Sequence, residues 1–150
     1  MISRLASLLQ DNAGSMVIET AIVAPVLAIL ALGGFEASRI VARQTELQMA
    51  AGQAAEIARA AKPDTAAKRA TVKGVVEASA DLTASHVTLE PIYRCGTTDA
   101  YVTDQTSCAP GDAVSSYIRL TLTDSYTPGW VEYGVGGPID YSVTRTVFLS

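Results

Sequence analysis

Residues 15–35, SMVIETAIVAPVLAILALGGF, constrain this chain more than any other stretch: the 21 positions carry a single charge, Glu19. At 1.5 Å per residue a helix of that length spans about 31 Å, the thickness of a bilayer's hydrocarbon core. A buried core helix is the soluble alternative, but a domain within 150 residues rarely surrounds a helix that is apolar on every face. A cleaved secretory signal is the other alternative. Its apolar region would run over residues 20–32, with Glu19 at its start and Glu36 where a small-residue cut is wanted. The reading is therefore a single transmembrane helix over residues 15–35, with the lipid bilayer as its first partner. Flanking charges leave its orientation open, because Arg4 is offset by Asp11 on one side and Arg39 and Arg43 by Glu36 and Glu46 on the other.

Beyond Phe35 the helical pattern continues without a breaker to Pro63, with Ile40, Leu47, Ala51, Ala54, Ala58 and Ala61 at spacings of three, four and seven. This is a helical extension over residues 36–62. The pairs Glu36/Arg39, Arg43/Glu46 and Glu56/Arg59 sit three apart on its solvated side. Its apolar stripe is narrow and mostly Ala, so a neighbour can approach closely but each turn buries little area. Pro63 ends the helix, since the residue before a proline is pushed out of the helical region. Asp64 is a candidate cap for a second helix to about Ala80, with Val72, Val75, Val76 and Ala80 toward a core.

After residue 85 the period changes to two. Residues 86–92 form a short strand signal broken by Pro91, residues 117–123 (YIRLTLT) the clearest strand, and residues 140–149 a last one. Helices followed by strands predict an α+β head with an antiparallel sheet over residues 63–150. From Leu82 onward three basic residues face seven acidic ones, which accounts for the whole formal charge of -4. An acidic head without a Lys/Arg stripe repels phosphate backbones, so no nucleic-acid partner is expected.

Cys95 and Cys108 lie 13 positions apart in a polar stretch. A local disulfide fits best if the head lies outside the cytoplasm; two unpaired thiols remain the alternative, and His86 is the lone histidine, so no metal site is expected. No phosphate loop, carboxylate dyad or catalytic constellation is present, and neither enzymatic activity nor a cofactor is expected. Tyr126, Trp130 and Tyr133 lie in a Gly/Pro-rich segment between the last two strands, and either form a partner surface or fold back over a thin sheet.

Gly14, followed by Ser15, Met16, Val17, Ile18 and then Glu19 before an apolar helix, resembles the prepilin-peptidase site of type IV pilin-like proteins. The wider stretch over residues 14–58 resembles the amino-terminal region of TadE-like proteins, small membrane proteins of tight-adherence (Flp-type) pilus systems, with Glu19, Pro25 and Gly34-Phe35-Glu36 matching best. The resemblance implies a pilin-like fold and a structural role as a TadE-like minor pseudopilin or assembly factor. It also implies a leader over residues 1–14 cut between Gly14 and Ser15 by prepilin peptidase. The head would lie outside the bacterial inner membrane, with other pilin or pseudopilin subunits and the Tad secretion machinery as partners. Glu19 would then meet the freed amine of Ser15 on a neighbouring subunit, unless it is simply an interfacial carboxylate favoured by the helix dipole. Pro25 either loosens the helix for assembly or is a tolerated membrane proline. The competing function is a membrane-tethered periplasmic binding domain that never enters a pilus.

Overall fold

The structure, a computed structural model, describes residues 13–150, with side chains from residue 16 onward. The leader expected over residues 1–14 therefore lies outside the described residues up to residue 12. Helix α1 (Ala13–Ala61) already includes Gly14 in its first turn and continues through Pro25. The described chain divides within it into two units, the first ending at Arg39 and the second running over Ile40–Ser150.

In the first unit the apolar run is solvent-facing throughout. Ile18, Ile22, Ile29, Leu30, Leu32 and Phe35 are all exposed, and none of the best apolar stretch is buried. Such a surface is the reverse of a soluble core helix. The Arg39 guanidinium lies over the Phe35 ring, 5.8 Å from its centroid.

The second unit is a small α+β domain. Strands β1 (Val87–Cys95), β2 (Val114–Tyr126) and β3 (Ile139–Phe148) form an antiparallel sheet in the order β1-β2-β3. Alternation along β2 sends Ile118, Leu120 and Leu122 to one face, where all three are fully buried. The Ala-rich stripe of α1 closes over that core with Leu47, Ala51, Ala54 and Ala58. The stripe thus finds its neighbour within its own chain, in a contact made close by small side chains. Arg43 reaches Asp124 near the end of β2, while the residues that follow α1 share a cleft with Ser116 and Ile118 near its start. From Ile40 onward α1 therefore runs antiparallel to β2. Ala61, expected on the stripe, is exposed in the last turn.

Lys62 closes α1 in the left-handed region (φ 43°) and Pro63 is fully buried behind it. Helix α2 (Ala66–Ala80) follows, and its cap is Thr65 in place of the expected Asp64. Thr65 is extended and its hydroxyl accepts from the Lys68 backbone N–H at 3.3 Å, whereas the Asp64 carboxylate is drawn to Lys68 Nζ at 2.8 Å. Val72 and Val76 are buried and Ala80 packs beside them, but Val75 is 47% exposed. At 100° per residue, positions 72, 76 and 80 drift slowly along one stripe, while position 75 falls about 60° behind 72 and off it.

Pro91 does not break β1. Odd-numbered residues of this strand direct their backbone groups away from β2, as the Tyr93 pairing with Val102 shows, so the missing N–H falls on the open edge of the sheet.

Candidate functional site

Glu19 sits in the second turn of α1, six residues after the helix begins. Helical spacing places Ile22, Val23 and Val26 on its face, so it is the single charge on an otherwise apolar, exposed surface. It makes no ion pair or hydrogen bond with the described residues. In water such a carboxylate needs nothing more, whereas at bilayer depth it costs on the order of 3 kcal/mol until neutralised or paired. The adjacent Thr20 hydroxyl satisfies itself on the Met16 carbonyl at 2.8 Å. Pro25 lies six residues on, about 9 Å along the axis and on a different face, and it leaves the Ala21 carbonyl without its helical donor.

Gly14 and Ser15 occupy the first turn, whose backbone N–H groups have no partner within the helix. The cleavage expected between them would require that turn to unwind, because a protease grips an extended chain. A first turn held by few hydrogen bonds opens at little cost.

In the second unit Cys95 and Cys108 form a disulfide, with their Cα atoms 5.3 Å apart. The loop it closes covers the sheet face opposite α1. Ile92 shares that outer face with its β2 partner Tyr117 and is fully buried, yet it is no part of the main core. Its cover is aromatic: Tyr101 of the loop meets Tyr117 edge-on at 5.3 Å, and Tyr117 meets Phe148 at the same distance. Arg94 ties the loop down, donating to the Thr98 carbonyl at 3.0 Å and to Asp99 at 2.5 Å.

Sequence reasoning missed the seam where α1 meets the sheet. Arg43 Nε donates to Asp124 Oδ2 at 2.5 Å, and the same carboxylate lies 3.9 Å from His86 Nδ1. Hydrogen bonding to Asp124 raises the Arg43 pKa above the ordinary guanidinium range, outweighing desolvation, with a smaller contribution from Glu46. Beside it the Tyr141 hydroxyl donates to the Ile40 carbonyl at 3.2 Å. An Asp two residues inside the end of a strand was the one available signal.

The three aromatic residues between the last strands do not form one surface. Tyr126 ends β2 and packs against the core. Trp130 lies half-buried in a 3₁₀ turn (Gly129–Tyr133), with its indole nitrogen close to Gly136. Tyr133, in contrast, is 85% exposed.

Among the described residues there is one helix long and apolar enough to cross a membrane, marked by a lone carboxylate, and a disulfide-closed α+β unit. Residues 14–56, all within α1, match the TadE-like protein family, and it is this segment alone that is similar to it. No curated protein and no solved structure matches the chain.

Proposed function

We propose that this chain is a structural and assembly component of a Tad-type (Flp) pilus, a TadE-like minor pseudopilin that acts by association and not by catalysis. The observation that carries this reading is the position of the TadE-like match: it begins at Gly14 and runs along an exposed apolar helix with Glu19 near its start. In this reading residues 15–35 span the bacterial inner membrane once. The unit beyond them lies in the periplasm or on the cell surface, where the Cys95–Cys108 disulfide is stable. Prepilin peptidase removes the leader after Gly14. Glu19, unpaired among the described residues, then meets the new Ser15 amine of a neighbouring pilin or pseudopilin subunit, an α-amino group that is a cation at neutral pH. Both charges are thereby neutralised inside the membrane by assembly with other subunits and the Tad secretion machinery.

Intact mass spectrometry of protein from its native membrane tests the processing step. A mature chain beginning at Ser15 supports the reading, and one beginning at Met1 refutes cleavage. Glu19→Ala tests the pairing: piliation and co-purification with partner subunits are expected to fall, and unchanged piliation would remove Glu19 from the mechanism.

One observation favours the alternative of a membrane-tethered binding domain. A cleft of about 310 Å³ in the second unit is lined by Lys62, Asp64, Arg69, Tyr93 and Gln105 beside apolar residues such as Ile118, a mixed charged, polar and apolar set of the size that takes a small ligand. An uncleaved chain absent from purified fibres would decide for it.

A further inference from the structure

The segment over residues 127–138 joins β2 to β3 and carries the most exposed large apolar side chains of the second unit after residue 50: Tyr133 at 85% and Val135 at 61%. Its place in that unit is fixed by the seam. Asp124 and Tyr141 are cross-strand partners, and both bond to the first residues of α1 in this unit, Asp124 to Arg43 and Tyr141 to the Ile40 backbone. The sheet continues past them by one more pair on the same face, Tyr126 with Ile139, about 7 Å further along the strands. The segment projects beyond that pair. It therefore lies at the end of the unit by which α1 arrives, opposite the end at which Lys62 and Pro63 leave it.

Phe35, the last residue of the apolar run, precedes Ile40 by five residues, a stretch of chain that reaches at most about 18 Å. Whatever surrounds the end of the apolar run is within reach of this segment through the chain itself. The chemistry is that of a membrane–water interface. Trp130 and Tyr133 each offer an apolar ring with a polar tip, and Val135 adds apolar surface. Glu132 is the single charge among residues 127–138. Gly134 and Gly136 hold left-handed backbone (φ 77° and 72°), which turns the tip back and leaves Tyr133 and Val135 outward. Val41, 65% exposed, adds to the apolar surface at this end.

We propose that this tip is a second membrane contact: residues Trp130, Tyr133 and Val135 rest in the headgroup region of the same bilayer that α1 spans. The inference rests on the anchoring reading of α1. Tethering makes the contact effective, since a side chain held beside the lipid surface needs little affinity of its own to stay there. The segment has no Lys or Arg, so the attraction is interfacial and does not require anionic lipid.

Trp130 is the sole tryptophan, which makes it a site-specific reporter in the full chain. The protein is reconstituted into phosphatidylcholine vesicles, either plain or brominated near the headgroup end of the acyl chains, and floated on a density gradient before its emission is read. Vesicle-bound protein is expected to show Trp130 emission quenched by the shallow bromines and protected from aqueous iodide. Tyr133→Ser combined with Val135→Ser should float equally well and lose most of that quenching. Protein that floats with emission identical in the two vesicle types and open to iodide overturns the membrane contact alone. Protection that is absent at low chain density and grows with chains per vesicle, without bromine quenching, assigns the tip to a neighbouring subunit and also overturns it. Protein that fails to float overturns the anchoring reading and this inference together.

Discussion

Asp124 carries an unusual share of the connection between α1 and the sheet. Its carboxylate is mostly buried, receives Arg43 Nε at 2.5 Å and lies 3.9 Å from His86. A charge-assisted hydrogen bond in such a setting is worth more than an exposed ion pair, because losing one partner leaves the other charge poorly solvated. Asp124→Ala is expected to lower the stability of the second unit by about 1–2 kcal/mol, read from denaturant midpoints at unchanged slope. Loss below about 0.3 kcal/mol would show that Arg43 is already satisfied by Glu46 and water. Asp104 acts more weakly and with a definite pH sign. Its carboxylate caps the short turn Gln105–Ser107, and hydrogen bonds from the Thr106 backbone N–H and then its hydroxyl hold its pKa below the ordinary 3.8. A depressed carboxyl stabilises the fold above its unfolded pKa and loses that contribution as pH falls through the lower folded value. The melting temperatures of wild type and Asp104→Asn should therefore converge as pH drops below about 4, a convergence that a constant difference would disprove. Neither residue stood out in the sequence, because an Asp in a strand or a loop acquires a role only from the partner that folding brings to it.

At the scale of elements, the β1–β2 connection works as a lid. It is fastened by the Cys95–Cys108 disulfide and by the Tyr93–Val102 pairing, and Ile92 is buried on the face where Tyr101 packs against Tyr117. Replacing both cysteines with Ala should destabilise the protein by about 3 kcal/mol in the chain-entropy account. Ile92→Ala should cost about 2–4 kcal/mol in the oxidised protein and distinctly less when the disulfide is absent, since an unfastened lid no longer seals the site. Equal costs in the two backgrounds would mean that Ile92 is covered without the loop. Part of this element was legible beforehand. Two cysteines 13 apart in a polar stretch announced a closed loop, but nothing in the strand pattern revealed that the loop would bury the outer-face residue Ile92. Likewise the α2 pattern included Val75 because three valines within five positions look alike on paper, and only the direction of the neighbouring core separates Val72 and Val76 from it.

Over the whole molecule, a single helix serves two different surroundings. Residues 16–39 expose their apolar side chains, while from Ile40 onward the helix is part of the core of the α+β unit. These portions should respond differently to heat in detergent or lipid. The second unit shares one core among α1, α2 and all three strands, so it is expected to unfold in one cooperative step. The apolar run has no aqueous alternative for its backbone hydrogen bonds and should remain helical. Far-ultraviolet circular dichroism should thus retain helix equivalent to roughly two dozen residues above the transition. Complete loss of helical signal in the same step would contradict the division.

The sequence by itself determined the long amino-terminal helix, its exposed apolar run, the segment with Gly14 and Glu19 that resembles TadE-like proteins, and the α+β class, and it favoured the cysteine pairing that the structure then shows. These follow from local rules: the length and periodicity of apolar residues, the effect of proline on its predecessor, and the short reach of a closed loop. Tertiary structure alone decided that the Ala stripe beyond Ile40 packs on its own sheet, that Asp124 binds Arg43, that Pro91 continues an edge strand, and that Tyr126 turns inward while Tyr133 turns out. Each of these depends on which face of an element meets which neighbour. A periodic pattern records that a face exists, but its neighbour is set by contacts between residues far apart in the chain.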